Sequence, residues 1–308
     1  MIRYILQRFG YMVVTFFVIV TLTFLSMKLL PGTPYRNAAK MTKEQIANLN
    51  ATYGLDKPIP VQYLKYVGNM LQGNLGESFQ YDGRPVTQII GEKFPISIEL
   101  GVEAIILGVV VGLLLGIFAG LKRNTIWDYS SMVIAVLGIS IPSFIFAALL
   151  QYWLGVKYQI FPIAYWETPA NRILPAISLS TVVIATVARF MRTEMVEVMQ
   201  SDYITTAEAK GITTMQIIFK HSIRNAIIPV ITILGPLFVN IITGSLVIEK
   251  IFAIPGIGEQ FVTSIYTNDY PMIMGTTIIY SAMFILIIFI VDILYGVIDP
   301  RIRLAGGK

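Results

Sequence analysis

The sequence predicts an all-α integral membrane protein with six transmembrane helices. Hydrophobic residues make up 55% of its 308 positions and charged residues only 13%, and its mean hydropathy is +0.70. Soluble domains carry about 25% charged residues, so a water-soluble globular fold is excluded. Six charge-free stretches reach or approach the roughly 20 apolar residues a span requires. They are bounded by Arg8 and Lys28, Glu103 and Lys122, Asp128 and Lys157, Arg172 and Arg189, Arg224 and Glu249, and Asp269 and Asp292. The absence of cysteine excludes disulfides and thiolate chemistry, and the single histidine, His221, excludes a multi-histidine metal cluster.

The first span ends in Met27-Lys28-Leu29-Leu30-Pro31, the wrong flank for a small-residue cleavage site. Residues 1–30 therefore read as a retained helix rather than a signal peptide. Residues 31–97 form an extracytoplasmic segment large enough for a small structured cap. Thr42 with Gln45 makes a capping box, Pro60 can open a second helix, and Gly73-Asn74-Leu75-Gly76 breaks it. In the second span Ala104, Gly108, Gly112, Gly116 and Gly120 recur at four-residue spacing. A neighbouring backbone can approach closely along such a face, either within this chain or at a subunit or pore surface. Pro142 in the third span and Pro175 in the fourth predict bent helices. The fourth stretch, 173–188, is only 16 residues long, and it lengthens if Arg189 faces a protein interior or snorkels.

A charged but patterned insert, 192–226, runs from the fourth span toward Pro229. Thr205 to Lys210 reads as a short helix ended by Gly211. Thr213 with Gln216 supplies a capping box for a second helix, whose apolar face is Ile212, Met215, Ile218, Phe219 and Ile223. Two short helices hinged at a glycine suggest a docking surface for another protein. The fifth span is the most polar, and Thr232, Pro236, Asn240 and Gly244 share one face, with Thr243 beside it. Such a stripe faces a bundle interior or a watery cavity. Interhelical hydrogen bonding around a proline kink and the lining of a translocation path both fit it. Asp292 is the clear carboxylate inside a span, with Arg301, in the 301–308 tail, as the expected structural partner.

Orientation follows from lysine and arginine in the short loops. Arg3, Arg8, Lys122, Arg123, Arg189, Arg192, Lys210, Lys220, Arg224, Arg301, Arg303 and Lys308 fall on one side, against Lys157, Arg172 and Lys250 on the other. Both termini and the insert are expected to be cytoplasmic. The net charge of +5 thus reflects topology rather than nucleic-acid binding. No P-loop, HExxH zinc site or GxSxG elbow occurs, so no nucleotide, metal or catalytic residue is expected of this chain. The mid-membrane positions carry none of the ionisable residues that drive secondary transporters. Transport would have to draw its energy from elsewhere, and the insert suggests where. A membrane enzyme or assembly factor with a docking loop is the rival class, but it lacks a chemical cluster in the spans.

The chain resembles the permease subunits of binding-protein-dependent ABC importers. Their general motif, EAA followed by glycine, matches only at Ala207, Gly211 and loosely Ile223. The oligopeptide and dipeptide branch, which includes nickel permeases, matches far better. It is carried by Asp202-Tyr203-Ile204, Thr206-Ala207-Glu208-Ala209-Lys210-Gly211, and His221-Ser222-Ile223-Arg224-Asn225-Ala226 with Pro229. Gly73-Asn74-Leu75-Gly76 with Ser78, Pro142-Ser143, Gly244-Ser245 with Glu249, Ile251-Phe252, Pro255-Gly256-Ile257-Gly258, Asp269-Tyr270-Pro271, Asp292, Tyr295 and Asp299-Pro300-Arg301 extend it. The resemblance implies a type I ABC importer (MetI-like) fold, with a permease core over 98–300. It also implies a multi-pass position in the bacterial cytoplasmic membrane. It implies a second homologous permease, two cytoplasmic ATPases that bind ATP and magnesium, an extracytoplasmic peptide-binding protein and a peptide substrate. Nickel or another small solute is the alternative cargo. The coupling loop would be Thr205, Thr206, Ala207, Glu208, Ala209, Lys210 and Gly211. At Glu208 the branch usually has a basic residue, so a contact there would be reversed in sign.

Overall fold

The computed structural model describes residues 2–35 and 38–298, with side chains described except at 2–3, 39, 239, 242–244 and 294–298. In chain order the helices are α1 (Ile2–Met27), α2 (Lys43–Tyr53), α3 (Ile59–Leu71), α4 (Val86–Leu121), α5 (Ile126–Ser140), α6 (Ser143–Leu150), α7 (Pro169–Met199), α8 (Asp202–Ala209), α9 (Thr214–Gln216), α10 (Ile223–Ile251), α11 (Ile257–Tyr266) and α12 (Tyr270–Ile298). A π-helical stretch, Gln151–Lys157, continues α6, and another, Ile217–Ser222, joins α9 to α10. Among the described residues the only β-type pairing is an isolated bridge between Glu77 and Pro85.

Among the described residues, five helices are long and apolar enough to cross a membrane: α1, α4, α7, the run Thr214–Phe238 and α12. Ile126–Ser140 and Ser143–Lys157 make a sixth if counted as one broken span, but they meet at 101°. The third span is therefore no single rod. Proline disfavours the helical conformation in the residue before it, and Ile141 is extended (φ −90°, ψ 118°) where α5 stops. Pro142 then caps the start of α6. Pro175, expected to bend the fourth span, lies buried inside the continuous α7.

The chain divides into two units, Met1–Ile96 with Gly256–Lys308, and Ser97–Pro255. In the first unit α1 packs along α12. Val20, Phe24 and Met27 join Met70, Leu75, Val86 and Met272 in one core. The capping box at Thr42 and Gln45 forms in both directions, and Pro60 sits in the first turn of α3. Gly73, at φ +79°, turns the chain out of α3. Asp292 pairs with Arg8 of the neighbouring α1 at 3.1 Å, and its expected partner Arg301 lies outside the described residues. Asp299, Pro300 and the 301–308 tail lie outside the described residues.

In the second unit α7 is the central helix, with α5, α6 and α10 packed on it. The glycine stripe of α4 also faces α7. A Cβ at Gly116 would stand 2.6 Å from the Ala188 carbonyl oxygen, and one at Gly112 3.0 Å from that of Ile184. Of the two placements the stripe allowed, packing within the chain is the one found for these glycines. Arg189 is exposed, and α7 continues ten residues past it to Met199. Near that end Arg192 makes a two-pronged pair with the fully buried Asp128 of α5, at 3.1 and 2.7 Å.

Candidate functional site

The insert folds around a small core of its own. Ile204 and Ala207 of α8 meet Ile217, with Ile212 packed against them. The helix starts at Asp202, three residues before the expected Thr205, and ends at Ala209. Its end follows the hydrogen-bond pattern of a Schellman turn. The Gly211 amide donates to Glu208 O at 2.9 Å and the Ile212 amide to Ala207 O at 3.2 Å. That turn needs a left-handed residue, and Gly211 has φ +75°, with open space where a Cβ would stand. Ile212, beyond the glycine, packs against that core, the hydrophobic contact that frequently accompanies such a turn.

Within this helix the expected coupling residues separate into two groups. Ala207 is buried in the insert's own core, while Thr205, Thr206, Glu208, Ala209, Lys210 and Gly211 are exposed. The presented surface is thus a small, mostly uncharged ridge flanked by Glu208 and Lys210.

Beyond Gly211 the structure departs from the expectation of a second, separate helix. Thr213 accepts the Gln216 amide at 3.4 Å, but only this half of the capping box forms. From Thr214 the helical path runs through the π-helical stretch into α10 without a break. Met215 and Phe219, placed on the buried face by a 3.6-residue period, are each 64% exposed, and Ile217 is buried instead. The wider π turn rotates the register, so a regular helical period misassigns this face. Buried Ser222 donates to Met199 Sδ at 3.1 Å, tying this run to the end of α7. Asn225 donates to the Tyr203 hydroxyl at 3.2 Å, tying it to α8.

Along α10, Ala226, Val230, Leu237, Ile241, Ser245 and Ile248 are buried. Of the expected path residues, Thr232 is half-buried and Pro236 and Asn240 are exposed. Thr232 donates back to the Pro229 carbonyl at 2.5 Å, satisfying a carbonyl near the proline. Thr243 and Gly244 lie in α10, but their side chains are outside the described residues. The polar face is therefore on the subunit's surface at Pro236 and Asn240.

Two further groupings join motifs that are distant in sequence or a helical turn apart. Ser78 donates to the Asp269 carboxylate, whose other oxygen accepts the Phe79 amide at 3.2 Å. Both Ser78 and Asp269 are fully buried, and burial pushes the Asp269 carboxyl above its ordinary range despite the hydrogen bonds. In the second unit buried Ser245 donates to buried Glu249 at 2.9 Å. The Ile254 amide returns to the Glu249 carbonyl at 2.8 Å, fixing the turn after α10. From the residues alone Glu249 is a span boundary and a motif position with no partner assigned. The spacing of Ser245 and Glu249, one helical turn, was the available signal.

Comparison with known proteins places these features in a family. A family model described as binding-protein-dependent transport system inner membrane component matches residues 112–304, and its N-terminal companion matches 1–101. The dipeptide transport system permease protein DppB of Lactococcus lactis subsp. cremoris (strain MG1363) is 46% identical over 304 residues, 99% of this chain and 100% of that protein. DppB of Bacillus subtilis (strain 168) is 48% identical over 99% of both chains. The oligopeptide transport system permease protein OppB of Salmonella typhimurium is 41% identical over 98% of this chain and 100% of its own length. The solved structure of an amino acid ABC transporter with histidines superposes with a TM-score of 0.51 at 16% identity. It covers 70% of this chain and 94% of that one, a likeness in fold alone.

Proposed function

This chain belongs to the family of binding-protein-dependent transport system inner membrane components, and we propose that peptides are the cargo it conducts. It is a non-catalytic, multi-pass permease subunit of an ABC transporter. The observation that carries the peptide reading is 41–48% identity to dipeptide and oligopeptide permeases over essentially the whole chain.

The subunit works with a second homologous permease, two ATPases that bind ATP and magnesium, and an extracytoplasmic peptide-binding protein. The lysine and arginine bias of the short loops supports a cytoplasmic insert and cytoplasmic termini. Helix α8 then seats its exposed ridge, Thr205, Thr206, Glu208, Ala209 and Lys210, in the ATPase. ATP-driven closure of the ATPase pair displaces α8. The shared core of Ile204, Ala207 and Ile217 hands that displacement to the π-helical stretch Ile217–Ser222. The unbroken path from Thr214 to Ile251 carries it into α10, whose Pro236 and Asn240 line the peptide path with Thr232, Thr243 and Gly244. Packed helices shift between discrete arrangements rather than bending continuously, so the result is an inward–outward switch.

The test uses the reconstituted full transporter. Ala209→Asp, on the exposed ridge, is expected to cut peptide uptake at least about tenfold, equivalent to about 1.4 kcal/mol of docking, while membrane insertion stays normal. Asn240→Leu is expected to change which peptides pass, with ATPase docking intact. Unchanged uptake in Ala209→Asp removes the coupling role, and unchanged selectivity in Asn240→Leu removes the path.

A further inference from the structure

A cleft of about 340 Å³ in the first unit takes its walls from the end of α1, from α2 and α3, from the 74–79 segment and from the start of α12. Its walls are aromatic at Phe24, Tyr53, Tyr66, Phe79 and Tyr270, and its charged groups are Lys28, Lys65 and Glu77. Among the described residues neither cation has a carboxylate within salt-bridge distance.

Lys28 is half-buried, donates to Gln62 Oε1, and lies 5.3 Å over the Phe24 ring and 5.8 Å over the Tyr270 ring. An ammonium has three donors, and the amide oxygen takes one. The rings meet the charge only with their faces. Burial pulls the Lys28 ammonium below its ordinary range, the sign of a cation short of a counter-charge. Glu77 does not supply it, since Lys28 and Lys65 have no carboxylate partner among the described residues. The Glu77 carboxylate lies instead beside the Gly83 turn, 3.7 Å from the position of a Cβ there. The same wall holds a second unmet group. Among the described residues the buried Tyr66 hydroxyl has no hydrogen-bond partner, and burial raises it above the ordinary phenol range. A buried polar group in that state normally has a partner that the chain itself does not provide.

We propose that this cleft binds an anionic ligand, a carboxylate or phosphate monoester or diester attached to an apolar body. The anion would sit on Lys28 and the body against the ring of Tyr66 and its aromatic neighbours. Two sources share that chemistry. Lys28 follows the last residue of α1, and Leu25 and Leu29 beside it are 46% and 84% exposed, so a phospholipid headgroup is within reach. A free aromatic or aliphatic carboxylate of dipeptide size also fits the volume. The site is separate from the coupling ridge and the α10 face, so its failure would leave the proposed function standing.

The experiment measures binding to the full transporter in nanodiscs of phosphatidylcholine, using phosphatidylglycerol and N-acetyl-phenylalanine as probes. N-acetyl-phenylalanine amide is the uncharged control. Lys28→Met keeps most of the side-chain length and removes the charge, and Lys28→Arg keeps the charge. Native mass spectrometry and titration are expected to show one anionic probe bound. Its affinity should fall at least about tenfold in Lys28→Met and return in Lys28→Arg, as loss of one partner of a buried charge contact requires. Retention of phosphatidylglycerol alone assigns the site to lipid. Binding of N-acetyl-phenylalanine but not its amide assigns it to a free carboxylate. A thermal melt of each variant separates misfolding from lost binding. Binding of neither probe to the wild type, or equal affinity in a folded Lys28→Met, overturns the proposal.

Discussion

The two units of this subunit hold their helices together by opposite means. In 97–255 backbones meet. At Gly108, Gly112, Gly116 and Gly120 of α4, an added Cβ would stand 2.5–2.8 Å from the nearest atom of α7. In the unit of 1–96 and 256–308, side chains meet. Phe24 stands edge-on to Tyr63 at 5.4 Å, Tyr53 edge-on to Phe79 at 4.7 Å, and Ser78 bonds to Asp269 in the interior. Apolar solvent gives helices no hydrophobic reason to associate, so close backbone approach and dispersion must supply it. Folded segments between spans can instead bury large rings and satisfied polar groups. The lesson is one of tolerance. A glycine seam transmits displacement stiffly and accepts no added atom, whereas a ring-and-carboxylate core can be adjusted and titrated.

That contrast can be broken most directly at the seam. Gly116→Leu places a side chain against the Ala188 carbonyl and Met191, each 2.6 Å from the new Cβ. It is expected to destabilise the subunit by about 3 kcal/mol, at the upper end of overpacking, read as lost melting temperature and lost folded yield. Gly10→Leu on α1, where nothing lies within 4 Å, is the matched control and should leave both unchanged. Equal effects from the two would show that the seam is not special.

A smaller effect is expected where the second unit does use charge. Asp128→Ala strands Arg192, whose pair at 2.7 Å involves a carboxylate only 1% exposed. Breaking a buried pair costs about 3–5 kcal/mol. Because Arg192 is 28% exposed, water can rescue it, and a loss of about 1–2 kcal/mol is expected in a thermal or denaturant melt. Restoring the pair as Asp128→Glu should recover part of it. An unchanged melt for Asp128→Ala would mean that apolar packing of Ala135 and Met132 against Ala185 and Ala188 suffices to hold α5 on α7.

The smallest effect sharpens the other side of the contrast. Because Asp269 is raised in the folded state, its contribution is fully present below the ordinary carboxylate value of 3.8 and is lost as pH rises through the folded value. Stability of the first unit is thus expected to fall with rising pH above 3.8, by less than about 1.4 kcal/mol per pH unit. Tyr35, in the same region and held up at about 12 by burial and then by Tyr53 and Tyr270, does not titrate in that window. Hydrogen exchange of the Ser78–Arg84 amides, corrected for intrinsic rates, should show the slope, and Asp269→Asn should abolish it. A slope that survives Asp269→Asn would assign it to another group.

Much of this was legible in the residues, and the illegible part has physical causes. The four-residue glycine spacing named its own face, because Gly108 to Gly120 lie within one continuous α-helix. Gly211 ended α8 as expected, because the left-handed turn is a local requirement. Met215 and Phe219 were misplaced because the π-helical stretch changes the period just where the pattern was counted. The separate second helix of the insert vanished because nothing in 214–222 stops helical propagation into α10. The Asp128–Arg192 and Ser78–Asp269 contacts join residues 64 and 191 positions apart. No local pattern records such pairs.

By itself the sequence determined that this chain lives in a membrane, which stretches are apolar enough to span it, and which short segment between spans is patterned rather than irregular. Those follow from solvent transfer and local backbone geometry, which act on each stretch separately. Only the tertiary structure decided which exposed residues of α8 form the ridge, that Ala207 serves the insert's own core, and that Asp292 pairs with Arg8. It alone showed that the Pro142 break turns the third span through 101°. These depend on which surfaces meet, and meeting is a property of the packed chain rather than of any segment within it.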